Sequence, residues 1–149
     1  PHSVDNVDTL AHVTAKGEVK LNQGYIGSCT GGREEDIAVA ARIVKGRHIP
    51  PYSRLVVVPA SSEVMLSCME KGYIQDLMNA GATITTPGCG ACLGAHEGII
   101  APGETCISST NRNFPGRMGS NQASIYLASP ATVAASIING RITDPRDYL

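Results

Sequence analysis

The sequence predicts a three-layer α/β/α sandwich, a mostly parallel sheet of four or five strands between helices, and three observations predict it. Arg54-Leu55-Val56-Val57-Val58-Pro59 is a continuous apolar, largely β-branched run of the kind buried on both faces in a parallel sheet. Short apolar runs alternate with helical patterns along the chain, and no hairpin signal joins neighbouring runs. Glycine-rich stretches fall where strands would end. With 149 residues, 42% of them hydrophobic, one such domain buries a core without disulfide staples.

Residues 1–22 read as a polar lead-in ahead of a single domain over 23–149, and within them Gly17-Glu18-Val19-Lys20-Leu21 alternates like an edge strand. Gly24-Tyr25-Ile26-Gly27-Ser28 is a strand that runs into the turn Cys29-Thr30-Gly31-Gly32-Arg33. A helix follows: Glu34, Glu35 and Asp36 put carboxylates in its first turn, and Ile37, Ala40, Ala41 and Val44 recur at helical spacing up to Gly46. Pro50-Pro51 ends that unit before the 54–59 strand. Ser61 or Ser62 caps a helix carrying Val64, Met65, Cys68 and Met69, and a second helical piece runs from Tyr73 to Asn79 and stops at Gly81. Ala82 to Thr85 is a third strand, which delivers the chain into Pro87-Gly88-Cys89-Gly90-Ala91-Cys92-Leu93-Gly94, and a short helix is expected around Gly94 to Ile99. Glu104 to Ser109 is a fourth strand and Ser124 to Leu127 a fifth, with a helix from Pro130 to Asn139 closed by Gly140.

Composition excludes several classes. The formal net charge is -1 with no basic run, so nucleic acid finds no electrostatic footprint. No apolar run approaches the roughly 20 residues of a membrane span, and no charged-then-apolar opening marks a secretory signal. Five cysteines cannot all pair within one molecule, which favours a reducing, cytoplasmic setting with thiols kept for a metal. Pro1 in place of an initiator Met suggests a piece of a longer chain.

The chemistry sits at strand ends. In parallel sheets ligands bind at the carboxyl ends of strands, and Cys29, the Cys89/Cys92 pair and the segment from Asn111 to Arg117 each follow a predicted strand. A C-x-x-C spacing serves zinc, iron–sulfur clusters and redox dithiols alike. Three thiols from two glycine-cushioned loops suit a cubane cluster with one iron left open as a Lewis acid, while zinc would need a fourth ligand. Arg112 and Arg117 are forks for carboxylates, and Asn111 and Asn113 offer amides to substrate or sulfide. Against these stand plainer readings: His96 as a surface histidine, Cys68 and Cys106 as core residues, and Arg33 as either a solvated arginine or a site residue. Neither the G-x-x-x-x-G-K-[ST] nor the G-x-G-x-x-G phosphate motif occurs.

Three stretches resemble the aconitase superfamily, and within it the large subunits of isopropylmalate dehydratases and homoaconitases. They are Gly27-Ser28-Cys29-Thr30 with Gly32-Arg33-Glu34-Glu35-Asp36, then Pro87 to Gly94, then Ser109 to Gly119; the opening Pro1 to Val7 and closing Gly140 to Arg146 are also similar. The resemblance covers essentially the whole chain and implies the third domain of such a subunit. It implies a 4Fe-4S cluster on Cys29, Cys89 and Cys92, with Asn111, Arg112 and Arg117 near cluster and carboxylate substrate, and reversible dehydration of a 2-hydroxy di- or tricarboxylate. It also implies partners: the preceding domains of the subunit, and a small swivel-domain subunit that brings the catalytic base, so that none lies in this chain. A cluster- or metal-binding sensor module without catalysis is the alternative. The family's first motif usually reads C-T-N where this chain has Cys29-Thr30-Gly31, and Ala91 stands where many members have Pro.

Overall fold

The computed structural model describes residue 3 and residues 5–149; Pro1, His2 and Val4 of the opening motif lie outside the described residues. Five strands, β1 (Gln23–Gly27), β2 (Arg54–Val58), β3 (Thr83–Ile84), β4 (Thr105–Ser108) and β5 (Ser124–Leu127), form one sheet in the order β3-β2-β1-β4-β5. Every pairing is parallel. The chain therefore winds outward from β1 to β3, returns to the other side of β1, and winds outward again. The winding direction reverses between β1 and β4, where such sheets open a crevice at the strand ends.

Alternate residues of each strand feed two cores. Ile26, Leu55, Val57 and Ile107 pack with the helices α3 (Glu34–Val44), α4 (Ser62–Glu70), α5 (Tyr73–Asn79) and α6 (Pro130–Asn139). The helices start where the sequence offers caps: Asp36 accepts the Arg33 N–H at 3.1 Å, Ser61 accepts the Val64 N–H at 3.2 Å, and Ser129 accepts the Thr132 N–H at 3.2 Å. Ile37, Ala40, Ala41 and Val44 are all fully buried, as the helical period requires. Glycine at position 24 lets α6 sit directly on β1, since a Cβ there would stand 3.1 Å from Ile137 Cγ1.

Tyr25, Val56, Val58, Cys106 and Ile125 face the other way, against Ala91, Cys92, Ile100, Met118 and Ala123. The sequence places helices on both faces; here the second face is covered by irregular chain from two crossovers, with a single 3₁₀ turn at Gly90–Leu93. The helix expected at 94–99 does not form. Gly94, Glu97 and Gly98 hold φ of 74°, 47° and 101°, which end any right-handed helix, so the turn forms earlier, over the cysteines. The first of these crossovers is anchored at the amino ends of the strands. Arg54 forks onto Glu104 at 2.8 and 2.6 Å and donates Nε to Gln23 Oε1 at 2.6 Å, Gln23 Nε2 reaches the Gly98 carbonyl at 2.7 Å, and Glu104 accepts the Ala101 N–H at 2.8 Å.

The lead-in differs from expectation in two ways. Its Gly17–Leu21 stretch makes only an isolated antiparallel bridge, Lys20 to Arg141, because its partner is the brief stretch between Gly140 and Ile142. It also carries a short helix, α1 (Leu10–Ala15), capped by Thr9, which is too short to show a period. Leu21 is buried in the helix-side core, and Leu10, Val13 and Val19 pack against that core. Among the described residues no helix is long and apolar enough to cross a membrane.

Candidate metal centre

β1 ends at Gly27 and the chain turns at once into a one-turn helix, α2 (Ser28–Gly31), which carries Cys29 with its side chain exposed. The turn is tight. Ser28 is held at φ 63°, is 2% exposed, and its hydroxyl has no hydrogen-bond partner among the described residues. Ser109, just past β4, locks the turn across the crevice: its Oγ accepts the Gly27 N–H at 3.1 Å and donates to the Gly31 carbonyl at 3.1 Å. Close approach explains the glycine at 31, because a Cβ there would lie 2.3 Å from the Ser109 carbonyl oxygen.

The paired cysteines lie on the 3₁₀ turn past β3, closed by the Cys92 N–H on the Cys89 carbonyl at 3.0 Å. Cys89 is exposed and Cys92 is 7% exposed. Two side chains hold the turn by its carbonyls: Tyr25 donates its hydroxyl to Cys89 O at 3.2 Å, and Arg117 donates Nε to Cys92 O at 2.6 Å. Arg117 Nη2 lies 4.0 Å from the Cys92 sulfur, and the guanidinium sits 5.7 Å from the Phe114 ring centroid. Burial, with the neighbouring Cys92 thiol adding to it, raises the Tyr25 hydroxyl well above its ordinary pKa and keeps it a donor.

The segment after β4 presents Asn111 and Arg112 to solvent, with no side-chain hydrogen bond or ion pair among the described residues. Asn113 turns inward instead. It is 4% exposed, donates to the Ile125 carbonyl at 3.1 Å, leaves Oδ1 without a partner among the described residues, and lines a cavity of about 340 Å³ with Val13, Lys16 and Tyr126. Arg33 and His96 are exposed, the latter 3.5 Å from Glu97. Cys68 and Cys106 are fully buried, and burial pushes the Cys106 thiol up to about 12. Tyr25, Ser28 and Ser109 are the residues that sequence reasoning passed over; a tyrosine inside an otherwise apolar strand was the one signal available, since a buried hydroxyl requires a partner.

β1, β3 and β4 are parallel, so the three expected site segments leave the sheet at the same end. The three thiols share that edge without meeting: among the described residues no three His, Cys, Asp or Glu side chains stand together as a metal-ligand group. The aconitase family (aconitate hydratase) matches residues 3–140. The chain belongs to the aconitase family.

Relatives within this family are similar along the full chain. The 3-isopropylmalate dehydratase large subunit 2 of Archaeoglobus fulgidus is 53% identical over 149 residues, all of this chain and 35% of the relative. The homoaconitase large subunit of Thermus thermophilus is 50% identical over 147 residues, 99% of this chain and 34% of the relative. The large subunit 1 of Deinococcus radiodurans 3-isopropylmalate dehydratase is 49% identical over 147 residues, covering 99% and 33%. The chain thus spans about a third of the length of these curated relatives. The aconitase family generally binds an iron–sulfur cluster, and the chemistry of the donors here, though not their present separation, suits one. Cys29, Cys89 and Cys92 are free, soft donors on turns that other residues hold at one end of the sheet.

Proposed function

We propose that this chain is the cluster-bearing part of an aconitase-family hydro-lyase, which moves a hydroxyl between neighbouring carbons of a 2-hydroxy di- or tricarboxylate such as isopropylmalate by dehydration and rehydration. The observation that carries it is the Ser109 bridge: it ties the Cys29 turn after β1 to the start of the Asn111–Arg117 segment after β4, so metal ligands and carboxylate binders leave one crevice. The names of the relatives point the same way. Cys29, Cys89 and Cys92 would hold a 4Fe-4S cluster, which supplies, when bound, an open iron able to act as a Lewis acid on a substrate oxygen.

The chain's own residues bind and orient. Arg112, exposed at that edge, takes a carboxylate through its fork. Arg117 has already committed Nε to Cys92, so it meets substrate only with its terminal nitrogens and couples a carboxylate to the cysteine turn. Asn111 offers an amide beside them. The catalytic base comes from outside the chain, from a small subunit, and the remaining length of the large subunit closes the site. Leu93, Ile99 and Phe114, each close to half exposed on the loop-covered face, are apolar surface suited to that docking.

The test is turnover of isopropylmalate, with the cluster reconstituted, by this chain alone and by the full-length large subunit with its small subunit. Activity is expected only for the assembly, because the orientation of base, metal and substrate is lost in the part. Turnover by the chain alone would place the base within it and overturn the assignment of roles.

A further inference from the structure

The paired-cysteine turn has a feature that C-x-x-C spacing does not supply. Its backbone is permissive: Gly88, Gly90 and Gly94 surround the thiols, and Gly90 and Gly94 sit at φ of 49° and 74°. A permissive loop does not by itself fix two thiols at a separation a metal can use. Two carbonyls fix it: Cys92 O is held from outside the turn by Arg117 Nε, and Cys89 O accepts both the Cys92 N–H that closes the turn, at 3.0 Å, and the buried Tyr25 hydroxyl, at 3.2 Å.

The Tyr25 ring is fully buried in the loop-side core with Val58, Ala91, Cys92 and Cys106, so it cannot swing away without opening that core. A Cβ at position 90 would stand 3.2 Å from its hydroxyl, so the glycine allows the approach. The ring comes from β1, whose end carries Cys29, so one strand sets both the third thiol and the frame of the other two.

We propose that Tyr25 is the positioning residue of the Cys89–Cys92 turn: its hydroxyl holds the carbonyl that closes the turn and keeps Cys92 sheltered at its ligand position. The proposal rests on reading Cys89 and Cys92 as ligands. It touches neither substrate nor cofactor directly; it acts through the turn.

The five free cysteines provide the assay. In the metal-free protein, iodoacetamide labelling of each cysteine is followed by peptide mass spectrometry in the parent and in Tyr25→Phe, which removes only the hydroxyl. Cys92 labelling is expected to rise about fivefold, the opening gained by losing one hydrogen bond, while the buried Cys68 and Cys106 label as in the parent. An unchanged Cys92 rate, or a parallel rise at all three buried thiols, would overturn the proposal, since the first denies the clamp and the second means general loosening. Hydrogen exchange of the Cys92 amide is the second readout, expected to quicken in Tyr25→Phe and to contradict the clamp if it does not. Should the parent take up no iron and sulfide, the ligand assignment fails while the labelling still decides the role of Tyr25.

Discussion

Ser109 and Gly31 meet across 78 residues of sequence, and their contact decides the shape of the Cys29 turn. A methyl at 31 would collide with backbone, 2.3 Å from the Ser109 carbonyl oxygen and 2.5 Å from its Oγ, rather than with the yielding end of a long side chain. Gly31→Ala is therefore expected to cost about 1–3 kcal/mol, read as a lower urea midpoint at unchanged slope. Gly88→Ala, with nothing within 4 Å of its Cβ, is the matched control and stays near the parent. An unmoved midpoint in Gly31→Ala would mean that the Ser109 strand end gives way freely. The asparagine that the resemblance implies at this position would meet the same obstacle in this backbone. The cysteines were legible in the sequence through their spacing. The residues that hold them were not, because Ser109 and Tyr25 act through tertiary contacts that leave no local pattern.

At the scale of elements, strands and helices with a strong period matched the sequence reading closely, while the loop-covered face did not. Glycine and proline, joined in the second by asparagine, punctuate the 86–104 and 109–123 crossovers, which have no apolar period to read, and the first stays in place through polar contacts such as Arg54 on Glu104. The Arg54 guanidinium holds the Glu104 carboxyl below its ordinary value of 4.5. A carboxyl lowered in the folded state contributes stability that is complete above its unfolded value and is lost as pH falls through the lowered one. Glu104→Gln is accordingly expected to lose about 1 kcal/mol at neutral pH, discounted for the half-exposed arginine, and to show a shallower decline below pH 4.5. Denaturant unfolding from neutral to acid pH checks this. Parallel curves for parent and variant would show that the fork does not anchor the crossover.

At the scale of the whole molecule, the sheet's winding reversal brings the Cys29 turn and the Asn111–Arg117 segment together, with the Cys89–Cys92 turn at the same strand ends. Alternation of strands and helices made this edge readable in advance; that three thiols share it follows from parallel strand direction alone. What the sequence could not show is that Arg117 Nε is bound to the Cys92 carbonyl, which under the proposed function links carboxylate binding to the cysteine turn. The fold carries its own core on the helix side, so under the proposed function a bound cluster would serve chemistry rather than folding. The most direct measurement of the ligand assignment is anaerobic reconstitution with ferrous iron and sulfide, followed by iron and sulfide analysis and EPR, across single substitutions of all five cysteines. Cluster uptake is expected to be lost in Cys29→Ser, Cys89→Ser and Cys92→Ser and retained in Cys68→Ala and Cys106→Ala. Full uptake by Cys29→Ser, or tight stoichiometric zinc with no cluster in the parent, would contradict it.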